Sequence, residues 1–336
     1  MDQNVGLHDS IAAGRWTEKY IENFGGDPNR ITAIGQSAGG GILSYMTVMD
    51  KKFGKLPLQQ ALISSPALPP RRNVSSRLTE IFNIVLKASN TTSLKSLRGL
   101  SLEQLKDLNQ KVVGEMESTG GGGNFGPVIG FSPTPDGKYF HDAPQVIQQH
   151  PGQVQDLKRL IVGNMNKEGE GLSSDGDMPR RFPELVKRVF PTASDKTIAK
   201  IQSGYTWPKD YPEALADEYT KDVVFGCTAN HVASAYSDKA HRYIMSTPPA
   251  HHGQDLFYYF FINNESTPIE SEPLARKMQG TLLDFVHGRE LPWPTFGSDR
   301  VMTNITDKYW TQKEPGFLKK RCDNINQAIL DPVNGV

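Results

Sequence analysis

Residues 30–46 read Arg-Ile-Thr-Ala-Ile-Gly-Gln-Ser-Ala-Gly-Gly-Gly-Ile-Leu-Ser-Tyr-Met, and this stretch decides how the rest of the chain is interpreted. The β-branched run at its start predicts a strand, and the apolar run at its end predicts a helix. Between the two lies a Gly-x-Ser-x-Gly pentapeptide centred on Ser37, and in that context the pattern is typical of a nucleophile elbow. We therefore interpret Ser37 as a candidate catalytic nucleophile, with a purely structural glycine turn as the alternative.

The glycines of this pentapeptide have a steric explanation. A serine on so tight a turn brings backbone against backbone, so Gly35 and Gly39 are both expected to need the absence of a Cβ. The turn also places Ser37 at the N-terminus of the following helix. There the free N–H groups and the helix dipole favour negative charge on a bound oxygen.

Length and charge narrow the class of protein. The chain has 336 residues, with 37 Lys+Arg and 37 Asp+Glu, so its formal net charge is zero. Nucleic acid and anionic membranes are therefore poor candidates as partners. No apolar stretch approaches the roughly 20 residues of a membrane-spanning helix. The first four residues are polar and lack the apolar region of a signal peptide, which leaves the localisation open.

Two cysteines, Cys227 and Cys322, are the complete set. They do not make a disulfide framework, and their separation does not match the spacing of metal ligands. Two free thiols are the simpler interpretation, and a single bridge between them is the alternative. We predict neither a metal nor a cofactor.

The remaining pattern alternates strands with helices, as in an α/β fold. No repeat or linker divides the chain, so we expect one domain over residues 1–336. Further strands are predicted at 61–65, 160–163, 241–245 and 256–262, and helices at 9–24, 75–113, 272–287 and, in several segments, 181–239.

An activated serine needs a base to accept its proton and an acid to orient that base. Glu168 follows the predicted strand at 160–163, at the sheet edge where open α/β sheets keep their sites; an ordinary solvated glutamate is the alternative. His251 and His252 lie in a turn-rich loop before the predicted strand at 256–262. A histidine in such a loop is free to reach a neighbouring strand end.

Taken together, these stretches resemble the type-B carboxylesterases, also called the cholinesterase-like esterases and lipases, and particularly their fungal branch. The resemblance spans nearly the whole chain in the family's order. It is carried by residues 4–9, 24–28, 35–40, 163–169 and 248–260. It implies an α/β-hydrolase fold and a serine carboxylic-ester hydrolase that forms an acyl-enzyme from a small-molecule ester.

The resemblance also assigns roles to individual residues. Ser37 would be the nucleophile, Glu168 the orienting acid and His252 the general base. The backbone N–H of Ala38, the residue after the nucleophile, would donate to the oxyanion. Gln36 stands where many members have glutamate, and we expect this change to leave the chemistry intact.

For two of these roles, the acid and the base, the resemblance decides between nearby residues. Glu170 is also followed by glycine, but Glu168 has the family's spacing from the strand. His251 adjoins His252, and the family's His-Gly step selects His252. We expect Asp255, in the same loop, to make structural hydrogen bonds.

The chain departs from the family at its start. The early strands and the glycine-rich oxyanion loop have no counterpart here, so the fold is expected to be incomplete at the N-terminus. The strands near 30–35 and 59–64 would then form the first pair of the sheet. An exposed sheet edge favours a homodimer or aggregation.

Two further questions remain open in the sequence. A truncated, weakly active or inactive member that acts by binding is the alternative function. Gly120–Gly123 is interpreted as a flexible loop rather than an oxyanion loop, because it follows the elbow in the chain. The substrate is not predicted: Trp207, Tyr258 and Tyr259 could line a pocket, although core packing is the simpler interpretation.

Overall fold

The computed structural model describes residues 3–72, 75–118, 132–170, 182–206 and 212–336. Six strands in these residues form one sheet. In chain order they are β1 (Thr32–Gln36), β2 (Gln60–Ser64), β3 (Arg159–Met165), β4 (Ala240–Met245), β5 (Val301–Ile305) and β6 (Tyr309–Lys313). The first four begin and end within two residues of the predicted strands.

The strands lie in the sheet in the same order as in the chain. Neighbours from β1 to β5 are parallel, and β6 is antiparallel to β5. The carboxyl ends of β1 to β5 therefore meet at one edge of the sheet, where loops from different strands can bring their side chains together.

Helices occupy the connections between strands. They are α1 (Val5–Tyr20), α2 (Ala38–Thr47), α3 (Ser75–Ala88), α4 (Leu94–Leu97), α5 (Leu102–Ser118), α6 (Pro144–Ile147), α7 (Phe182–Val189), α8 (Asp195–Gln202), α9 (Pro212–Thr220), α10 (Cys227–Tyr236), α11 (Gln254–Tyr259), α12 (Glu272–Val286) and α13 (Gly316–Leu330). A π-helical segment, Lys221–Gly226, joins α9 to α10. The predicted helices are confirmed as helical regions, although the stretch at 75–113 is broken into three.

Alternation along the central strands covers both faces of the sheet. Ala61 and Ile63 of β2, with Leu160 of β3, pack in a cluster with α1, α2 and α10. Leu62 and Ile161 point the other way, into a cluster with α11 and α12. Because side chains alternate with a period of two, a parallel sheet of this kind needs apolar neighbours on both sides.

A third cluster is entirely helical and contains the disulfide. Residues of α7, α8, the π-helical segment and α13 pack together in it. Cys227 and Cys322 form a disulfide bond there, with 5.2 Å between their Cα atoms. The simpler interpretation of two free thiols was therefore wrong. Because the bond closes a loop of 95 residues, it restricts the unfolded chain strongly, by about 4–5 kcal/mol in the chain-entropy model.

Several sequence expectations need correction. Residues 256–262 were expected to form a strand, but α11 covers most of them and turns Tyr258 and Tyr259 into the core. Tertiary packing here overrides the strand propensity of aromatic residues. The elements β5, β6 and α13 were not predicted from sequence, although the buried apolar residues of α13, at positions 318, 322, 325 and 329, do recur with helical spacing.

The first strand of the sheet borders solvent. As predicted, β1 and β2 form the first pair, and in the described part β1 pairs only with β2. Ile34 of β1 is 42% exposed. Within the region predicted as a helix at 9–24, Trp16 and Phe24 lie on the surface. No helix in the described ranges is long and apolar enough to cross a membrane.

Candidate active site

Ser37 sits on a strained turn between β1 and α2. Its backbone has φ 55° and ψ −120°, a region that residues with a Cβ rarely adopt. The turn is held by its own backbone: the N–H of Ser37 donates to the Ser64 carbonyl, and the Ser37 carbonyl accepts from Gly41 and Ala67. These bonds fix the serine at the carboxyl edge of the sheet, as the elbow motif predicts.

The glycines around Ser37 differ in whether the fold leaves room for a side chain. A Cβ on Gly35 would lie 2.5 Å from the Gly39 carbonyl oxygen, and one on Gly40 would lie 2.7 Å from the Ser64 carbonyl oxygen. Both approaches are too close for any side chain. A Cβ on Gly39 would meet no atom within 4 Å, so the expectation that Gly39 must be glycine for steric reasons was wrong.

Glu168 lies in the turn that follows β3 and is completely buried. The residue after it must be glycine, because a Cβ on Gly169 would overlap the backbone of Asp217. The N–H of Lys167 donates to the Ala250 carbonyl, 3.0 Å away. This bond ties the glutamate's turn to the loop after β4.

Burial raises the pKa of Glu168 above its usual range, because the charged carboxylate loses its hydration. The hydrogen bond and the charge of His252 oppose that effect, with smaller contributions from Ser65 and the backbone of Met165. The ionised form of Glu168 is therefore stabilised mainly by His252.

His252 lies between the other two side chains. Its Nε2 is 2.8 Å from Ser37 Oγ, and its Nδ1 is 3.3 Å from Glu168 Oε1. The loop that carries it turns sharply, with positive φ at Ala250 and Gly253. The structure thus brings together the three residues that the sequence proposed for a triad, from loops after β1, β3 and β4.

Two contacts of His252 were not foreseen from sequence. Gln36 Nε2 is 3.3 Å from the same Nε2 atom that faces Ser37. The ring of Phe225, in the π-helical segment, packs against the imidazole at a tilt of 40°, with centroids 4.6 Å apart. The position of Gln36 beside the serine was the only sequence signal for the first contact, and nothing in the sequence pointed to the second.

The two residues that competed for these roles form a pair of their own. His251 Nε2 is 3.1 Å from Glu170 Oε2, and Lys167 Nζ is 3.0 Å from Glu170 Oε1. All three side chains are about 40–50% exposed. Among the hydrogen bonds of the described residues, none joins this pair to Ser37.

Ala38 is the first residue of α2. Its N–H therefore belongs to the first turn, whose amides have no partner within the helix. The amide and the positive end of the helix lie directly beside the serine, where an oxyanion would form.

Asp255 makes the structural hydrogen bonds that were expected of it. The carboxylate is fully buried and accepts from the hydroxyls of Ser64 and Tyr243. Tyr258 and Tyr259 belong to the core, which agrees with the simpler interpretation of both. Trp207 and Gly120–Gly123 lie outside the described residues.

The described side chains do not form a metal centre. They contain no group of three or more His, Cys, Asp or Glu residues that could hold a metal ion. The arrangement around Ser37 is instead one of proton transfer: a hydroxyl, an imidazole and a buried carboxylate in hydrogen-bonding order.

The chain is similar to fungal lipases and esterases. It is 24% identical over 355 residues to a secreted lipase of Arthroderma benhamiae, covering 98% of this chain and 66% of the relative. It is 26% identical over 292 residues to carboxylesterase patB of Penicillium expansum, covering 84% and 50% of the two chains. The chain thus spans half to about two thirds of the length of these curated relatives.

The fold has a solved counterpart. The crystal structure of EstA from Aspergillus niger matches with a TM-score of 0.78 at 21% identity, covering 100% of this chain and 70% of that one. The shared architecture is the α/β-hydrolase fold. The sequence profile of the carboxylesterase family matches residues 1–315, and the chain therefore belongs to the carboxylesterase family.

Proposed function

We propose that this protein hydrolyses carboxylic esters through a catalytic triad of Ser37, His252 and Glu168. The observation that carries the proposal is the 2.8 Å contact between Ser37 Oγ and His252 Nε2, on an imidazole whose Nδ1 faces Glu168. The relatives named as a secreted lipase and a carboxylesterase support an ester as the substrate class.

The first half-reaction is acylation of the serine. Ser37 Oγ attacks the ester carbonyl carbon while its proton passes to His252 Nε2. The tetrahedral intermediate then expels the alcohol, which takes that proton from His252, and Ser37 is left as an acyl ester. Throughout, His252 Nδ1–H donates to Glu168, which holds the ring in the tautomer that leaves Nε2 free.

The negative charge of the intermediate needs donors that are already in place. We assign the Ala38 N–H to this role, because it lies at the N-terminus of α2 beside Ser37. The loss of one such donor in a serine hydrolase lowers kcat by about 100- to 1000-fold. The strained backbone of Ser37 is what aims both the hydroxyl and this amide at one carbonyl group.

The second half-reaction returns the enzyme to its starting state. Water attacks the acyl ester, gives its proton to His252 Nε2, and the second tetrahedral intermediate releases the carboxylic acid with the proton back on Ser37. Glu168 stabilises the imidazolium in both halves. The complete burial of Glu168 strengthens this interaction, because few waters screen it.

Covalent labelling tests the proposal directly. A fluorophosphonate probe should add to the wild-type protein once, at Ser37, as located by peptide mass spectrometry. Ser37→Ala should abolish the labelling with unchanged circular dichroism. Ser44→Ala, at a buried serine two turns along the same helix, is the matched control and should label like the wild type.

Labelling should be accompanied by hydrolysis of a short-chain p-nitrophenyl ester. Labelling that persists in Ser37→Ala would move the nucleophile elsewhere. An unlabelled wild-type protein with native circular dichroism would instead support an inactive family member that acts by binding.

A further inference from the structure

The ring of Phe225 contacts His252, and the reaction proposed above does not use this contact. The nitrogens of the imidazole face Ser37, Gln36 and Glu168. Phe225 meets the imidazole through its ring instead, with centroids 4.6 Å apart and 40° between the two planes. Aromatic pairs in proteins have centroids about 4.5–7 Å apart. This pair therefore lies at the close end of the range, where the two rings overlap in part instead of meeting edge to edge.

The backbone that carries Phe225 is anchored on several sides. All six residues of the π-helical segment are buried, and segments of this kind are rare and frequent at functional sites. The residue after the segment, Cys227, is bonded to Cys322 of α13. The Val224 carbonyl accepts a backbone hydrogen bond of 3.3 Å from the loop after β2. The ring thus has its own anchors, separate from the loop that carries His252.

Water has little access to the contact between the two rings. Phe225 is 2% exposed, and the side chain of His252 is 20% exposed. An imidazolium that forms here keeps few water contacts, so neighbouring groups must stabilise its charge. The face of a phenyl ring carries partial negative charge and attracts a cation within about 6 Å of the centroid. The imidazole of His252 lies inside that distance.

We propose that Phe225 is a positioning residue for ester hydrolysis, whose ring keeps the imidazole of His252 between Ser37 and Glu168 and stabilises the imidazolium in both half-reactions. The inference rests on the proposed triad, because His252 gains a proton only where it acts as the base. It differs from ordinary core packing in one respect: an apolar side chain of similar size cannot replace the π-electrons of the ring.

A leucine separates the effect of the ring from the effect of its bulk. Phe225→Leu keeps an apolar side chain but removes the π-electrons. Both kcat/KM for p-nitrophenyl acetate and the rate constant of fluorophosphonate labelling should therefore fall about 3- to 30-fold. Phe182→Leu is the matched control, since Phe182 is buried in the same helical cluster but its ring contacts Tyr205 and Tyr219. Both rates should then stay within about twofold of the wild type.

Fluorinated phenylalanines test the electrostatic part of the proposal. Mono-, di- and trifluorophenylalanine in place of Phe225 withdraw electrons from the ring face with little change in its size. Each added fluorine should lower both rates further, whereas the same series in place of Phe182 should leave them unchanged. A ring that only fills space would give no trend. Because these residues keep the shape of phenylalanine, the series remains decisive if Phe225→Leu folds poorly by circular dichroism.

The outcomes separate this inference from the triad on which it rests. Rates that stay constant along the fluorine series at Phe225 would overturn it, whatever the loss in Phe225→Leu, and so would a Phe225→Leu variant within about twofold of the wild type. A wild-type protein that is not labelled at Ser37 would overturn the triad and this inference together. A labelled wild type with a flat fluorine series would overturn this inference alone.

Discussion

Two histidine–glutamate pairs join the same two loops of this protein, and they differ mainly in burial. His252 and Glu168 approach to 3.3 Å, and His251 and Glu170 to 3.1 Å. The glutamate is 0% exposed in the first pair and 39% exposed in the second. Distance alone would not tell them apart; only the first pair reaches Ser37.

The pKa values of the two glutamates shift in opposite directions. Burial raises the pKa of Glu168, because the ionised form loses hydration that His252 only partly replaces. Burial acts in the same direction on Glu170, but the hydrogen bonds and charges of Lys167 and His251 together outweigh it, so the pKa of Glu170 is lowered. One pair is therefore suited to stabilise charge during a reaction, and the other is a surface ion pair.

The largest expected effect is on kcat/KM, and it should distinguish His252 from His251. His252→Ala should lower kcat/KM for a p-nitrophenyl ester by about four orders of magnitude or more, because the base is lost. His251→Ala should change it by no more than about threefold, since an exposed ion pair contributes little. Steady-state kinetics of both purified variants makes the comparison, and the reverse ranking would move the base by one residue.

The two glutamates should differ almost as much. Glu168→Gln should reduce kcat by about 1000- to 10,000-fold, because the amide no longer stabilises the imidazolium. Glu170→Gln is the matched control and should stay within about threefold of the wild type. Comparable losses in both variants would mean that the outer pair also takes part in catalysis.

Removal of the Gln36 contact should have a smaller effect. Gln36→Met keeps the length of the side chain but loses the hydrogen bond to His252, so the imidazole is less firmly oriented. A neutral hydrogen bond of about 0.5–1.5 kcal/mol corresponds to a two- to twelvefold loss in kcat/KM. A loss above about 100-fold would instead make Gln36 part of the reaction.

The smallest expected effect is on the free energy of unfolding. Its dependence on pH should have opposite signs for the two glutamates. A raised folded pKa means that Glu168 favours folding below its ordinary value of 4.5 and loses that contribution as pH rises through the folded value. Glu168→Gln should therefore gain stability relative to the wild type as pH rises from about 4 to 8. Urea denaturation at several pH values measures this difference.

The contribution of Glu170 to stability should change with pH in the opposite direction. Its lowered pKa stabilises the fold above the ordinary value, and this contribution is lost as pH falls through the folded pKa. Glu170→Gln should be less stable than the wild type by only a few tenths of a kcal/mol at neutral pH, and equal to it in acid. Parallel pH trends in the two variants would contradict the contrast between the pairs.

The regular elements around the elbow could be predicted from sequence because their patterns are local. Strand, glycine turn and helix occupy residues 32–47 in unbroken succession, and each follows from the side chains of its own segment. α11 and the β5–β6 pair could not be predicted in this way. Their conformation is set by packing against distant residues, which outweighs the preference of the segment itself.

The disulfide illustrates the same limit. Nothing local relates Cys227 to Cys322, which are 95 residues apart, so free thiols were the simpler interpretation of the sequence. They meet because α10 and α13 pack in one helical cluster. Their proximity is a property of the tertiary fold.

By itself the sequence identified Ser37 as the candidate nucleophile, the order of the other candidate residues and the family that they resemble, because each of these rests on contiguous motifs. It offered two glutamates, separated by one glycine, and two adjacent histidines, without a physical reason to choose between them. Only the tertiary structure turns Glu168 and His252 inward to Ser37 while Glu170 and His251 meet at the surface. Burial depends on how loops from distant strands converge, and no single segment of the sequence contains that information.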